Sequence, residues 1–201
     1  MENNKANDMY NSLNEKGKKI VEMYLTARQF KNAVLEDEMI ILPSAILQKN
    51  DAVLKWGDTK IRFRGEKPII RIYPFIVNKA FACEVYLKLL LIEADFDFSK
   101  LKKSELHNLF KLYENTDSTF KQILLNKFIS QFGDNANEEF IENEIKNISD
   151  VFVRWRYIYE KIDEINKVNY GFLNQFCDFL DRYSQQTILD KYHYNVDETM
   201  R

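Results

Sequence analysis

Apolar positions recur every three or four residues along most of this chain, a period that predicts helices. Ile20, Met23, Tyr24, Ala27, Phe30 and Val34 form one such stripe in a helix expected over Asn11 to about Met39, with Lys19, Glu22 and Lys31 on its other face. From Pro74 to about Ala94 the chain is apolar nearly all round. Phe81, Ala82, Val85, Leu89 and Ile92 cover one side, and Cys83, Tyr86, Leu87, Leu90 and Leu91 cover most of the rest. Such a helix belongs in the middle of a bundle. Pro74 suits its first turn, where a missing N–H leaves no helical bond unmade. Further helices are predicted from a cap at Ser104 through Tyr113, over Phe120 to Phe132 with Gly133 as the stop, and over Glu138 to about Ile148. Asp150 is read as the cap of a helix through Val168, and Asn169 as the cap of one from Tyr170 to about Gln186. Beyond Leu189 a frayed or partner-dependent tail is expected.

The period fails between Ile40 and Tyr73, where Pro43, Gly57, Gly65 and Pro68 break the chain into short segments. Lys60 to Arg64 alternates basic and apolar residues, and Ile69 to Tyr73 is β-branched and aromatic, with Gly-Glu-Lys-Pro between. That pattern predicts a small β-hairpin insertion near residues 57–73. Alternation would put Arg62 and Arg64 on one face and Ile61 and Phe63 on the other. The resulting basic ribbon could track a phosphate backbone, or it could be an edge strand kept soluble by charge.

Composition supports a mainly α reading, because five Gly and three Pro in 201 residues leave few helix breakers. At 45% hydrophobic content the chain can bury a substantial core, and its length favours one domain. The 29 basic and 31 acidic side chains give a net charge of −2, so any affinity for nucleic acid needs a local patch. The longest apolar run, Val85 to Ile92, is interrupted by Lys88 and falls far short of the roughly 20 residues of a membrane span. Met1 to Asp8 lacks the apolar stretch of a signal peptide. A cytoplasmic location with no membrane partner is therefore expected. Cys83 and Cys177 fall within apolar helical patterns and read as reduced core residues. No metal site is predicted and no cofactor is called for: the chain has no Gly-rich phosphate loop, no His-Glu-x-x-His and no Cys/His cluster.

Charges placed where a core should be are the candidate chemistry. Glu84 and Lys88 share a helical stripe with Ala80, Leu87 and Leu91, so Glu84 leaves water unless that stripe is exposed. Lys88 at i+4 is correctly oriented, yet an exposed pair of this kind contributes about 0.3–0.5 kcal/mol, too little to explain a buried acid. Arg156, whose guanidinium can grip a carboxylate bidentately, is the expected tertiary partner. Arg154, Arg156, Tyr157, Tyr159 and Glu160 form an aromatic and charged cluster on the helix expected after Asp150. Its arginines could bind phosphates beside rings that stack on bases, or the set could be a buried ion-pair network that fixes helix register. His107 could serve as a general acid or base near neutral pH, or simply hydrogen-bond near the start of its helix. His193, in the aromatic tail Tyr192-His193-Tyr194, has less to recommend it.

The run Asn78-Lys79-Ala80-Phe81-Ala82-Cys83-Glu84-Val85-Tyr86-Leu87-Lys88-Leu89-Leu90, followed by His107-Asn108-Leu109 and then the arginine–aromatic segment, resembles a HEPN-type bundle (higher eukaryotes and prokaryotes nucleotide-binding). The likeness covers roughly residues 74–186. It implies an α-helical bundle that commonly dimerises, with relatives that act in bacterial conflict systems as metal-independent ribonucleases or as modules binding RNA or nucleotides. Nuclease members carry Arg, four to six residues, then His. Here the positions before His107 hold Lys100, Leu101 and Lys102, and those before His193 hold Gln186, Thr187 and Ile188. Arg154 is followed at the matching distance by Glu160, which accepts but does not donate when ionised.

The resulting expectation is a non-catalytic HEPN-like module that binds RNA, a nucleotide or a partner protein, as in phage defence or toxin–antitoxin systems, with homodimerisation implied. Arg154, Arg156, Tyr157, Glu84, Lys88, Arg62 and Arg64 are its expected binding residues. The alternative is a divergent metal-independent endoribonuclease, in which Arg154 and Arg156 stabilise phosphorane charge while His107 or Glu160 moves the proton.

Overall fold

The structure, a computed structural model, describes residues 8–33, 52–56, 59–63, 72–133, 136–149 and 169–199. These residues are mainly helical. After a helical turn at residues 8–12, α1 spans Glu15–Asn32, α2 Ile72–Glu93, α3 Leu109–Glu114, α4 Ser118–Phe132, α5 Glu138–Ser149, α6 Tyr170–Tyr192 and α7 Val196–Thr199. A single 3₁₀ turn, Phe98–Lys100, lies between α2 and α3.

Side chains set the helix starts. Asn14, Asn108, Asp117 and Asn169 each accept a backbone N–H from the first turn, from Gly17, Lys111, Phe120 and Phe172 respectively. Each removes one of the unmade donors that a helix start leaves. The predicted cap at Ser104 is therefore corrected: Ser104 lies among turns, and the helix begins after Asn108. Gly133, at φ 69°, ends α4 in the backbone region that costs glycine least.

Helix α2 is the central element, touching α1, α3 and α6, while α1 also packs on α6 and α3 on α5. Its all-round apolarity has its cause there: Ile76, Ala82, Cys83, Tyr86, Leu87 and Leu89 are fully buried on different sides of the same helix. Burying a side chain of this size stabilises the fold by about 1.5–3 kcal/mol. A second aromatic cluster joins α4 and α6, where the Phe172 ring stands 5.0 Å from Phe128 and 5.7 Å from Phe176. Cys83 and Cys177 are free and buried, as their helical patterns predict.

Two further expectations are corrected. The hairpin predicted near residues 57–73 does not form as drawn. Thr59–Phe63 pairs backwards with Ala52–Trp56, with Arg62 opposite Val53, and Ile72 and Tyr73 already belong to α2. Two residues, Gly57-Asp58, separate the paired segments, the connection length that two-residue hairpins use. Ile72 and Tyr73, read as the end of a β-branched and aromatic strand, misled because β-propensity yields readily to tertiary context. The expected frayed tail is also absent. Helix α6 continues past Gln186 to Tyr192, and His193 caps it in the left-handed conformation at φ 53°, its N–H bonding Leu189 O at 3.0 Å. Tyr194 and Val196 then bury, and Asp197 accepts from Arg28 and from Gln185, both at 2.7 Å. Those contacts hold the segment against α1 and α6.

The long N-terminal helix expected from Asn11 to Met39 is described to Ala33 and broken before Asn14. The helix expected over 150–168 lies outside the described residues.

Candidate functional site around Glu84 and His107

Helix α2 carries Glu84 on a stripe whose apolar members, Ala80, Leu87 and Leu91, are all buried. The carboxylate is 2% exposed. A charge withdrawn from water this far needs partners, and two meet it at one oxygen. Lys88 Nζ donates to Glu84 Oε1 at 2.7 Å, one turn along the same helix, and His107 Nδ1 lies 2.9 Å from the same atom. The pairing of Glu84 with Lys88, too weak on an exposed face to justify a buried acid, gains from a second donor brought by tertiary structure.

His107 is set by the segment that leads into α3. Glu105 Oε2 accepts from Lys102 N and Glu105 O from Asn108 N, which closes a tight turn just before His107. Asn108 then caps α3, and Phe110 N donates to Ser149 Oγ at 2.8 Å, which anchors the start of α3 to the end of α5. Leu109, 2% exposed, plugs the core directly behind. The imidazole is thus fixed at its root and through Nδ1, while its side chain remains 56% exposed.

Because an ionised carboxylate can only accept, Nδ1 carries the proton and donates it to Glu84. In the neutral ring this tautomer puts the free lone pair on Nε2, which has no partner among the described residues. A buried carboxylate that fixes a histidine tautomer leaves the other ring nitrogen ready to accept a proton, or, once protonated, to contact an anion. Lys88 adds a second positive group beside it. Lys100, Lys102 and Lys103 are exposed on the segment that approaches His107.

Of the residues expected at the site, Glu84, Lys88 and His107 converge. Arg154, Arg156, Tyr157, Glu160 and Arg64 lie outside the described residues, as does the expected Glu84–Arg156 pairing. Arg62 is placed on its strand by its backbone. No group of three or more His, Cys, Asp or Glu able to hold a metal ion occurs among the described residues. No described helix is long and apolar enough to cross a membrane.

Sequence reasoning missed a second buried acid. Asp181 of α6 is 8% exposed and accepts from Tyr86 Oη at 2.8 Å and from Lys31 Nζ at 2.7 Å, tying α6 to α2 and α1. Lys31 also reaches Asp178 at 2.7 Å. Burial works against the Lys31 charge, but its hydrogen bonds to Asp178 and Asp181 outweigh that and raise its pKa. The Tyr86 and Tyr24 hydroxyls are pushed well above the ordinary phenol range, first by burial and then by the Asp181 charge. A helical-register signal was available: Cys177, Ser184 and Ile188, at −4, +3 and +7 from Asp181, are all fully buried. Both acids are buried, but the partners of Asp181 are largely buried with it, whereas His107 beside Glu84 is not.

Comparison of the chain with protein-family models, with curated proteins and with solved structures gives no match.

Proposed function

We propose that this chain is a HEPN-like module that binds RNA or a nucleotide through a phosphate at the Glu84–Lys88–His107 site, without cleaving it. One observation carries the reading. A buried carboxylate collects Lys88 and the half-exposed His107 on a single oxygen, so two groups able to carry positive charge are held at one edge of the bundle. Two of the three parts that carry the family resemblance, the Glu84–Lys88 helix and His107-Asn108-Leu109, meet there, and the arginine–aromatic segment lies outside the described residues. The resemblance adds the expected setting, a dimeric component of bacterial phage defence or a toxin–antitoxin pair. The absence of Arg-x(4–6)-His favours binding over turnover.

Binding of single-stranded RNA by the purified chain, followed across a salt series, tests this. His107→Gln and Lys88→Ala should each weaken binding and lower the salt slope by about 0.7 per lost phosphate contact. RNA that does not bind, or binding indifferent to both substitutions, rejects the proposal.

The Nδ1–Glu84 bond specifically favours one rival, the divergent metal-independent ribonuclease. In it, Nε2 of His107 takes the proton from the attacking 2′-hydroxyl, the P–O5′ bond breaks as the P–O2′ bond forms, the imidazolium returns the proton to the departing 5′-oxygen, and Lys88 offsets phosphorane charge. Total RNA incubated with the protein in chelator separates the two. Cleavage that disappears in His107→Gln establishes the enzyme, and intact RNA under binding conditions leaves the module.

A further inference from the structure

The chain has two cysteines, one on α2 and one on α6, and the packing of these helices brings them together. Tyr86 of α2 donates to Asp181 of α6 at 2.8 Å, and Lys191 of α6 donates to Glu93 of α2 at 2.7 Å, so the two helices run in the same direction at a fixed register. Cys83 lies three residues before Tyr86, and Cys177 four residues before Asp181. Spacings of three and four return to the same face of a helix, which sets the two thiols level, one turn from the Tyr86–Asp181 bond. Both cysteines are free and fully buried, and the Cys177 thiol lies within hydrogen-bonding reach of Cys83.

Two thiols side by side on packed helices differ from a disulfide by one two-electron oxidation. That step starts from a thiolate. Burial raises the Cys83 thiol well above its ordinary range, and its Cys177 neighbour adds to the rise, so the closed core presents no nucleophile. The pair reacts only when the α2–α6 seam opens, an event that requires less free energy than global unfolding where it is local.

We propose that Cys83 and Cys177 form a redox clasp, which a low-molecular-weight disulfide closes into a covalent bond between α2 and α6 during such an opening. One cysteine, having lost its proton to water, attacks a sulfur of the small disulfide. The S–S bond of the reagent breaks, and one small thiol leaves with a proton from water. The second cysteine, ionised in the same way, attacks the protein sulfur of the mixed disulfide and displaces the other small thiol. Two protein thiols and one small disulfide thus become one protein disulfide and two small thiols. The closed clasp joins segments far apart in sequence, which restricts the unfolded chain and holds the seam shut. Glu84 follows Cys83 on α2, so the helix secured is the one that carries the Glu84 site, but the inference does not depend on what that site binds.

Incubation of the whole reduced chain with oxidised glutathione, in water and in urea below the unfolding transition, tests it. Intact mass should fall by two hydrogens with no glutathione retained, both thiols should disappear from a titration in denaturant, and dithiothreitol should restore them. The rate should rise by about tenfold or more as urea approaches the transition, following the open population. The oxidised chain should unfold at higher urea than the reduced chain, and Cys83→Ala and Cys177→Ala should each lose that rise and retain one glutathione instead. Thiols that stay free below the transition overturn the proposal, as do two retained glutathiones or a covalent dimer. An internal disulfide that lowers the urea midpoint also overturns it, since the bond would then not fit the folded seam.

Discussion

Two buried acids in this molecule, Asp181 and Glu84, meet the same problem and solve it in opposite ways. Asp181 is enclosed, with a tyrosine from α2 and a lysine from α1 filling its two oxygens. Glu84 meets Lys88 and His107 on one oxygen, and one of them, His107, extends to solvent. A closed network of this kind spends its polar groups on joining helices. An open one passes the influence of a buried charge to a group that a ligand can touch.

The largest test of that contrast is Asp181→Ala, which strands the buried Tyr86 hydroxyl and leaves Lys31 to Asp178 alone, and it is expected to cost about 3 kcal/mol in urea unfolding. RNA binding should be unaffected wherever the variant is folded. Tyr86→Phe leaves Asp181 Oδ1 without its donor and is expected to cost about 1.5–3 kcal/mol, since the lost bond is to a charged group. It also carries a pH signature. Tyr86, Tyr24 and Lys31 all hold their protons more tightly when folded, so their contribution is complete below the unfolded pKa values, near 10.0 for tyrosine and 10.5 for lysine, and declines as pH rises beyond them. Urea midpoints measured from pH 8 to 11 should fall at the alkaline end, and fall less steeply in the Tyr24→Phe/Tyr86→Phe double variant.

Smaller effects are expected at the open site. Glu84→Gln keeps the size and an acceptor, so its cost should be about 1 kcal/mol, but the imidazole loses its fixed tautomer and RNA binding should weaken. Nitrogen-15 chemical shifts of His107 would show the tautomer change directly. His107→Gln, at a half-exposed position, should alter stability by no more than about 0.5 kcal/mol while producing the greatest loss of RNA binding of the four. If its stability effect instead matched that of Asp181→Ala, the distinction between the two acids would collapse.

The local grammar of the helices was readable in the chain because capping and three-to-four spacing act within a turn. Asn169, Gly133 and the all-round apolarity of α2 are each a short-range signal with a short-range cause. Glu84 was legible as an acid out of place, but its tertiary partner was not. His107 lies 23 residues away and is brought in by a turn whose cap, Asn108, was mistaken for Ser104. Asp181 was not singled out at all. Its donors lie 95 and 150 residues away, beyond the reach of any periodic pattern. The tail erred for the same reason: the aspartate that secures it, Asp197, bonds Arg28 across 169 residues.

The Lys31–Asp181 bridge also governs when the molecule can be completed during synthesis. At about 5–20 residues per second, the 150 residues between these partners take roughly 8–30 s to be made. Throughout that interval α1 can dock on α2 once α2 has emerged, but the polar side of its last turn waits for the ribosome to deliver α6. A nascent chain stalled before Asp178 should therefore hold a hydrophobic pair of helices whose seam is unsealed at Lys31, a natural point for a chaperone to engage and to let go.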